Sequence, residues 1–493
     1  VQVELTTVRG SDRPLYLQIA DGIARLIASG DLAPGDRLPT VRALARQLSV
    51  TRVTVHNAYS HLQAGGLTES TVGRGTFVAG SGEANASSAG RPAPWYGPVD
   101  MGLQLLRGGE VDSFALAEPD PDLAPAEAFM GILREISDPA ASLLRYGATE
   151  GDPKLREQIA VRLRRRGVEV DPEEILITTG STQALSLVAQ CLARPGDRVL
   201  VEQPTYFGFL STLKVHDIQP LGVPMDHEGP DPEALERLIV RERPRFLYTM
   251  PSFHNPTGVT MSDARRRAVR DLSVRYSLPV VEDDIFHSLS YGKGGEAPGR
   301  PMKADDERGL VYYVDSFSKS LLPGLRIGYM IAPTAHRPRI AALHYAATLG
   351  NAHILQRALA VFLESGGYDA HLKKVIPLYR KRRDALMKAL KKEMPEGTSW
   401  TTPEGGFCCW VTLPAGLSSE EVFRLSMDRG VTFAPGHLFE AQPRSQPRLR
   451  LCFGSLSPER IRDAIGVLGQ IVRMVGERVR PRHLQPRSAA PLV

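Results

Sequence analysis

Ser316-Phe317-Ser318-Lys319-Ser320-Leu321-Leu322-Pro323-Gly324-Leu325-Arg326 is the stretch on which the reading of this 493-residue chain turns. It follows Leu310-Val311-Tyr312-Tyr313-Val314, a β-branched and aromatic run of the kind that forms a strand. A lysine therefore stands in a tight, hydroxyl-rich turn just past a strand end, and an arginine follows seven residues later behind a Pro-Gly turn. The arrangement suits an imine-forming amine. The strand holds the lysine at a sheet edge, the serines can hold a phosphate, and the arginine adds a permanent charge for it. Taken alone, the same residues read equally well as a surface lysine in a serine-rich loop, so the neighbouring segments decide.

The same order repeats upstream. Residues 175–178 form a short apolar strand, and Gly180-Ser181-Thr182-Gln183-Ala184 opens the next helix, whose free N–H groups and dipole favour an anion. Pro195-Gly196-Asp197 turns into a strand at 198–201 that ends on Glu202-Gln203-Pro204-Thr205-Tyr206. A strand at 246–250 leads to His254-Asn255-Pro256-Thr257-Gly258, and one at 278–281 leads to Glu282-Asp283-Asp284. Strand, polar loop and helix in repetition predict an α/β layered domain on a mostly parallel sheet with helices on both faces. Ligands bind such domains at the carboxyl ends of the strands. Singly, Tyr206 reads as core, Asn255 as a turn former and the aspartates as a solvated turn. Their conjunction on one edge is what argues a site.

Totals set the frame. The chain is longer than one ordinary domain, and its 42% hydrophobic and 23% charged residues are those of a globular protein. No apolar run approaches the roughly 18–20 residues of a membrane span, and the first residues lack the basic-then-apolar layout of a secretory leader. A cytoplasmic protein without a membrane partner is the expectation. Cys191, Cys408, Cys409 and Cys452 lie in apolar segments without metal-ligand spacing, so they read as core, in a reducing compartment, with no metal site.

Residues 1–80 form a separate module. Leu15, Ile19, Ile23, Leu26 and Ile27 recur at helical spacing, and Thr40 caps a short helix whose apolar face is Val41, Leu44, Ala45 and Leu48. A third helix, about 52–63, turns Val55, Tyr59 and Leu62 inward and leaves Arg52, Thr54, His56 and Asn57 outward. Thr71-Val72-Gly73-Arg74-Gly75 then reads as the tip of a hairpin. Three helices and a hairpin are the layout of a winged helix-turn-helix. Between Arg37 and Thr68 there is no Asp or Glu, while Arg37, Arg42, Arg46 and Arg52 all fall there, which suits a phosphate backbone. Residues 81–112, rich in Gly, Ser, Ala and Pro, read as a flexible linker, and 481–493 as a disordered tail, leaving 113–480 for the large domain.

Two resemblances now become specific. Leu15-Tyr16-Leu17-Gln18-Ile19, Gly35-Asp36-Arg37-Leu38-Pro39-Thr40-Val41-Arg42, Leu44-Ala45 and Gly73-Arg74-Gly75-Thr76-Phe77-Val78 resemble the DNA-binding domain of GntR-family repressors. That resemblance implies recognition-helix contacts from Arg52, Thr54 and His56, a phosphate contact from Arg42 and a wing contact from Arg74. Asn255-Pro256-Thr257-Gly258, Ser316-Phe317-Ser318-Lys319 with Arg326, and Arg450-Leu451-Cys452-Phe453 resemble a fold-type I, class I/II aminotransferase that binds pyridoxal 5′-phosphate, with a smaller C-terminal α+β subdomain. Carried over, Lys319 forms the internal aldimine, Asp283 (ahead of Asp284) pairs with the pyridinium nitrogen, Asn255 bonds the ring hydroxyl and Tyr206 stacks on the ring. Ser181, Thr182, Ser316, Ser318 and Arg326 hold the phosphate, Tyr146 reaches the neighbouring subunit's phosphate, and Arg450 clamps a substrate carboxylate. One departure stands out: Phe286 occupies a position where the family often carries Tyr, and it cannot donate to the ring hydroxyl.

Together the two parts resemble the MocR subfamily of GntR regulators. The resemblance implies a homodimer that binds a double-stranded DNA operator and senses pyridoxal phosphate, an amine or an amino acid through aldimine exchange at Lys319. The competing expectations are an active aminotransferase with an accessory DNA-binding module, which leaves residual transamination open, and an inert enzyme domain used for dimerisation.

Overall fold

The computed structural model describes residues 15–29, 31–33, 35–48, 50–64, 67–71, 75–78, 111–136, 145–292, 299–442 and 446–479. Arg74, residues 81–110 of the expected linker and the tail at 481–493 lie outside them. The chain divides into two compact units, Val1–Pro94 and Trp95–Val493.

In the first unit, helices Leu15–Ser29, Val41–Gln47 and Arg52–Ala64 precede strands Thr68–Thr71 and Gly75–Val78. The strands pair antiparallel from Thr68↔Val78 to Thr71↔Gly75. Ile19, Ile23, Leu38, Leu44, Val55, Tyr59, Leu62 and Val78 close a single core. Thr40 caps the second helix through the Ala43 N–H at 3.2 Å. The buried Tyr59 hydroxyl donates to the Pro39 carbonyl at 2.7 Å, tying the third helix to the start of the second.

The second unit is built on an eight-stranded sheet. Its spatial order is Ile175–Thr178, Gly328–Ile331, Val311–Ser316, Val280–Asp283, Leu247–Thr249, Arg198–Gln203, Gln219–Asp226 and Gly229–Pro230. Five neighbouring strands, from Val311–Ser316 to Gln219–Asp226, run parallel. Gly328–Ile331 is antiparallel to both its neighbours, so Ile175–Thr178 runs in the common direction too. The strand Val311–Ser316 is buried at all six positions, as a parallel strand covered on both faces must be. One face packs on the helices Pro153–Arg164 and His353–Glu364 through Leu155, Ile159, Leu163, Leu359 and Phe362.

A smaller antiparallel sheet, in the order Ser399–Trp400, Cys408–Thr412, Arg448–Cys452, Ala434–Pro435, packs with the helices Gly367–Glu393, Ser419–Met427 and Pro458–Val479. The incoming strand Asp112–Ser113 pairs in parallel with Val431–Thr432, and the Phe114 carbonyl accepts the Cys452 N–H at 2.9 Å. Residues 112–114 are thus joined to strands near the chain's C-terminal end before the chain reaches the large sheet.

Candidate functional site

The parallel strands place their carboxyl ends on one edge, and the loops leaving that edge carry most of the expected residues. Lys319 lies three residues past the last residue of its strand, Ser316. Its Nζ donates to the Ala117 carbonyl at 2.9 Å. Burial pulls the ammonium below the ordinary lysine range, while the Glu118 carboxylate pulls the other way. The Ser316 hydroxyl is used inside the turn: it donates to the Ile327 carbonyl at 3.0 Å and accepts the Ser318 N–H at 3.2 Å. Ser318 Oγ, in contrast, meets Arg326 Nη1 at 3.5 Å.

Arg326 adopts φ +52° and donates to the Thr179 carbonyl at 3.3 Å, directly before the helix Ser181–Leu192. Two glycines permit this approach. A Cβ on Gly180 would stand 2.6 Å from Arg326 Nη2, and one on Gly328 would stand 2.7 Å from the Gly180 carbonyl carbon. Guanidinium, serine hydroxyl and helix N-terminus therefore form one cradle that fits a phosphate.

The two aspartates have separate fates. Asp283, 1% exposed, accepts the Tyr248 hydroxyl on Oδ2 at 2.8 Å, while its Oδ1 is buried without a hydrogen-bond partner. Burial lifts its carboxyl to about 7 against the pull of the Tyr248 hydrogen bond and the Ile285 N–H. Asp284 is buried as well, which by itself would raise it. The Arg166 guanidinium at 2.7 Å instead holds it at about 2, and the Tyr313 hydroxyl donates to it at 3.0 Å. Asp284 is thus committed to a structural ion pair. Each aspartate has one buried oxygen without a hydrogen-bond partner, but Asp283 alone of the two has no cation beside it, and a protonated ring nitrogen would supply both.

Asn255 follows the strand Leu247–Thr249 and precedes a cis Asn255–Pro256 bond. Its Oδ1 accepts Arg450 Nη1 at 2.8 Å. Arg450, 1% exposed, also donates to the Ala115 carbonyl and lies over the rings of Phe439 (4.8 Å) and Phe207 (5.9 Å), with Nε unpartnered. Tyr206 stands just before the helix Phe207–Val215 without a capping hydrogen bond, and its hydroxyl is raised by burial and by Asp283 while bonding Thr182. Gly208 makes room for that ring, since a Cβ there would be 2.3 Å from Tyr206 Cζ.

The structure therefore brings Lys319, Ser318, Arg326, Ser181, Thr182, Tyr206, Asp283, Asn255 and Arg450 to one edge, with Ser316 bracing the loop beneath. Tyr146 stands 87% exposed and is not joined to them. Phe286 is buried and packs edge-on against Phe407 at 6.0 Å, a core role for a ring without a hydroxyl. Sequence reasoning missed Tyr248, Arg166 and the Ala115 and Ala117 carbonyls. No local pattern signals them, because each meets its partner only through the sheet or across the two sheets.

In the helix-turn-helix unit, Arg42, Arg46 and His56 are exposed. The Thr54 hydroxyl lies 2.8 Å from that of Thr51, which also accepts the Thr54 N–H and so caps the third helix. Arg52 opens that helix, but its side chain, like all of Arg74, lies outside the described residues. Arg37 leans on the wing: a Cβ on Gly75 would come within 2.9 Å of its Nε.

A helix-turn-helix unit and a lysine–aspartate–arginine site at the edge of a parallel sheet define the class: a DNA-binding regulator built on a pyridoxal-phosphate aminotransferase scaffold. Residues 15–78 match the bacterial regulatory proteins of the gntR family, and residues 112–468 match aminotransferase class I and II. The HTH-type transcriptional regulator YisV of Bacillus subtilis is 32% identical over 91% of this chain and 94% of its own length. The aromatic-amino-acid aminotransferase 1 of Thermococcus litoralis is 35% identical over 75% of this chain and 90% of its own. Among solved structures, the α-aminoadipate aminotransferase LysN of Thermus thermophilus, complexed with N-(5′-phosphopyridoxyl)-L-leucine, superposes with a TM-score of 0.72. It is 34% identical and covers 78% of this chain and 96% of its own. The chain belongs to the class I and II aminotransferase family and, with its GntR domain, to the MocR subfamily of GntR-type transcriptional regulators. Pyridoxal 5′-phosphate is the cofactor that this membership brings, and the cradle and the free Asp283 oxygen fit it.

Proposed function

We propose that this chain is a transcriptional regulator whose DNA binding responds to pyridoxal phosphate and to an amine or amino acid that exchanges at Lys319. The observation that carries the reading is the unpartnered, buried Oδ1 of Asp283, at the end of the strand that pairs with the one leading to Lys319, in a chain that also carries a helix-turn-helix. Lys319 is the attachment amine, and its depressed ammonium favours the neutral, nucleophilic form. Asp283 holds the ring nitrogen's proton. Asn255 bonds the ring hydroxyl, with no help from Phe286. Tyr206 stacks on the ring, and Arg326, Ser318, Ser181 and Thr182 take the phosphate. When bound, the cofactor supplies an electron sink and an exchangeable carbonyl carbon. Arg450, pre-set by Asn255 and the Ala115 carbonyl, clamps the effector's carboxylate.

Tyr146 is exposed, and in this reading it reaches the neighbouring subunit's phosphate in a cytoplasmic homodimer. Paired winged helices then read two half-sites of a double-stranded operator, with Arg52, Thr54 and His56 at the bases and Arg42 and Arg74 on the backbone. Allostery requires the effector to favour one domain arrangement, and exchange at Lys319 provides that difference. The domain boundaries that go with this reading are 1–80, 81–112, 113–480 and 481–493.

The test is a gel-shift titration on the chain's own promoter, with and without pyridoxal phosphate and candidate amines. Affinity is expected to change for the wild type and not for Lys319→Ala. Unchanged affinity in both would overturn the regulatory reading. The completely assembled Arg450 site favours a second reading, an active aminotransferase. Sustained turnover of an amino acid with a 2-oxo acid, near a typical enzymatic rate of about 10 per second, would support it over the first.

A further inference from the structure

Cys408 and Cys452 sit directly opposite each other on adjacent antiparallel strands, with their Sγ atoms 3.8 Å apart. Their register position matters. The Phe453 N–H donates to the Phe407 carbonyl and the Leu413 N–H to the Pro447 carbonyl, so the flanking odd-numbered pairs are the hydrogen-bonded ones. Cys408–Cys452 is therefore a non-hydrogen-bonded pair, for which Cα atoms lie about 4.5 Å apart, within the roughly 4.4–6.8 Å that a disulfide spans. Side-chain alternation puts both thiols on the face that carries Arg450, and the charges of Lys319 and Arg450 act on both sulfurs. The other two cysteines are excluded by placement. Cys409 points to the opposite face and bonds the Thr401 carbonyl at 3.3 Å, and Cys191 lies in the helix Ser181–Leu192.

We infer that Cys408 and Cys452 are a modification site, a buried dithiol on the sheet face that carries Arg450, which closes to a disulfide under a peroxide oxidant. Both thiols are buried, so the oxidant has to be of water-like size, and hydrogen peroxide is. One thiolate attacks a peroxide oxygen. The O–O bond breaks, one oxygen stays on sulfur as a sulfenic acid, and the other takes up the proton released by the thiol and leaves as water. The second sulfur then attacks the first, the S–S bond forms, the S–O bond breaks, and the departing hydroxyl takes the second thiol's proton and leaves as water. Two thiols are oxidised and one peroxide is reduced, with two waters as the other product. A dithiol reductant reverses the step by exchange. The crosslink tethers the strand on which Arg450 lies two residues from Cys452.

The full-length protein is treated with hydrogen peroxide, freed of excess oxidant, unfolded and titrated for thiols. The wild type is expected to fall from four thiols to two and to recover four after dithiothreitol. Cys409→Ser is expected to fall from three to one, and Cys408→Ser, in which Cys452 can become a sulfenic acid but cannot form the crosslink, to keep at least two of three. Non-reducing peptide mapping of the wild type is expected to join the peptide holding Cys408 to the one holding Cys452. Four thiols remaining in the treated wild type would overturn the assignment, as would equal loss in Cys408→Ser. If Cys408→Ser does not fold, the peptide map together with Cys409→Ser decides, and a Cys409→Ser protein that keeps three thiols would overturn it too.

Discussion

Asp283 and Asp284 are neighbours in sequence and equally buried, yet their carboxyls shift in opposite directions. The difference is cationic company: Arg166, followed by His287 and Arg266, lowers Asp284, whereas burial and carboxylates raise Asp283. The pH dependence of the cofactor-free protein follows. Asp283 titrates near 7 when folded and near its ordinary value, about 3.9, when unfolded. Between these values the folded chain holds a proton that the unfolded chain has released, so this residue's contribution to stability is full at low pH and declines as pH rises through 7. Asp283→Asn is expected to flatten that slope between about pH 4 and 7, as read by urea denaturation at several pH values. The same substitution removes a charge-assisted hydrogen bond, of about 1.5–3 kcal/mol, so binding of pyridoxal phosphate is expected to weaken roughly ten- to hundredfold in an absorbance titration.

At the scale of elements, the cradle depends on backbone approach more than on side-chain chemistry. Gly180 has φ +78° and lies against Arg326, so Gly180→Ala adds both left-handed strain, about 1–2 kcal/mol, and a collision with the guanidinium. The expected outcome is a weaker hold on inorganic phosphate and on the cofactor, with secondary structure retained by circular dichroism. Unchanged affinity for both would remove Gly180 from the account. The strand-and-loop order of this edge was legible because each parallel strand is a compact apolar run ending in polar residues, and the lysine turn is local. Insertion of the antiparallel strand Gly328–Ile331 between Ile175–Thr178 and Val311–Ser316 was not legible, since pairing depends on distant partners. Nor was the choice of Arg166 for Asp284, or of Tyr248 for Asp283, which belong to other elements. In the first unit Thr40 and Tyr59 behaved as their sequence positions suggest, one a cap and the other a core ring.

For the whole molecule, the sharpest expectation concerns salt. Arg42 is exposed at the start of the second helix, in a stretch without carboxylates. If it neutralises one phosphate per protomer, Arg42→Ala should lower the slope of log affinity against log salt by about 1 per bound protomer, and weaken binding about equally on all sequences. A slope unchanged on both promoter and unrelated DNA would place that contact elsewhere.

Residues 112–117 are held by basic side chains, two of them belonging to the site. The Ala115 carbonyl is held by Arg450, the Ala117 carbonyl by Lys319, and the Asp112 carboxylate by Arg460 at 2.6 Å. Whatever claims the Lys319 amine or the Arg450 fork competes with these moorings. Occupancy of the site and the backbone path of residues 115–117 are thereby linked through the same two cations.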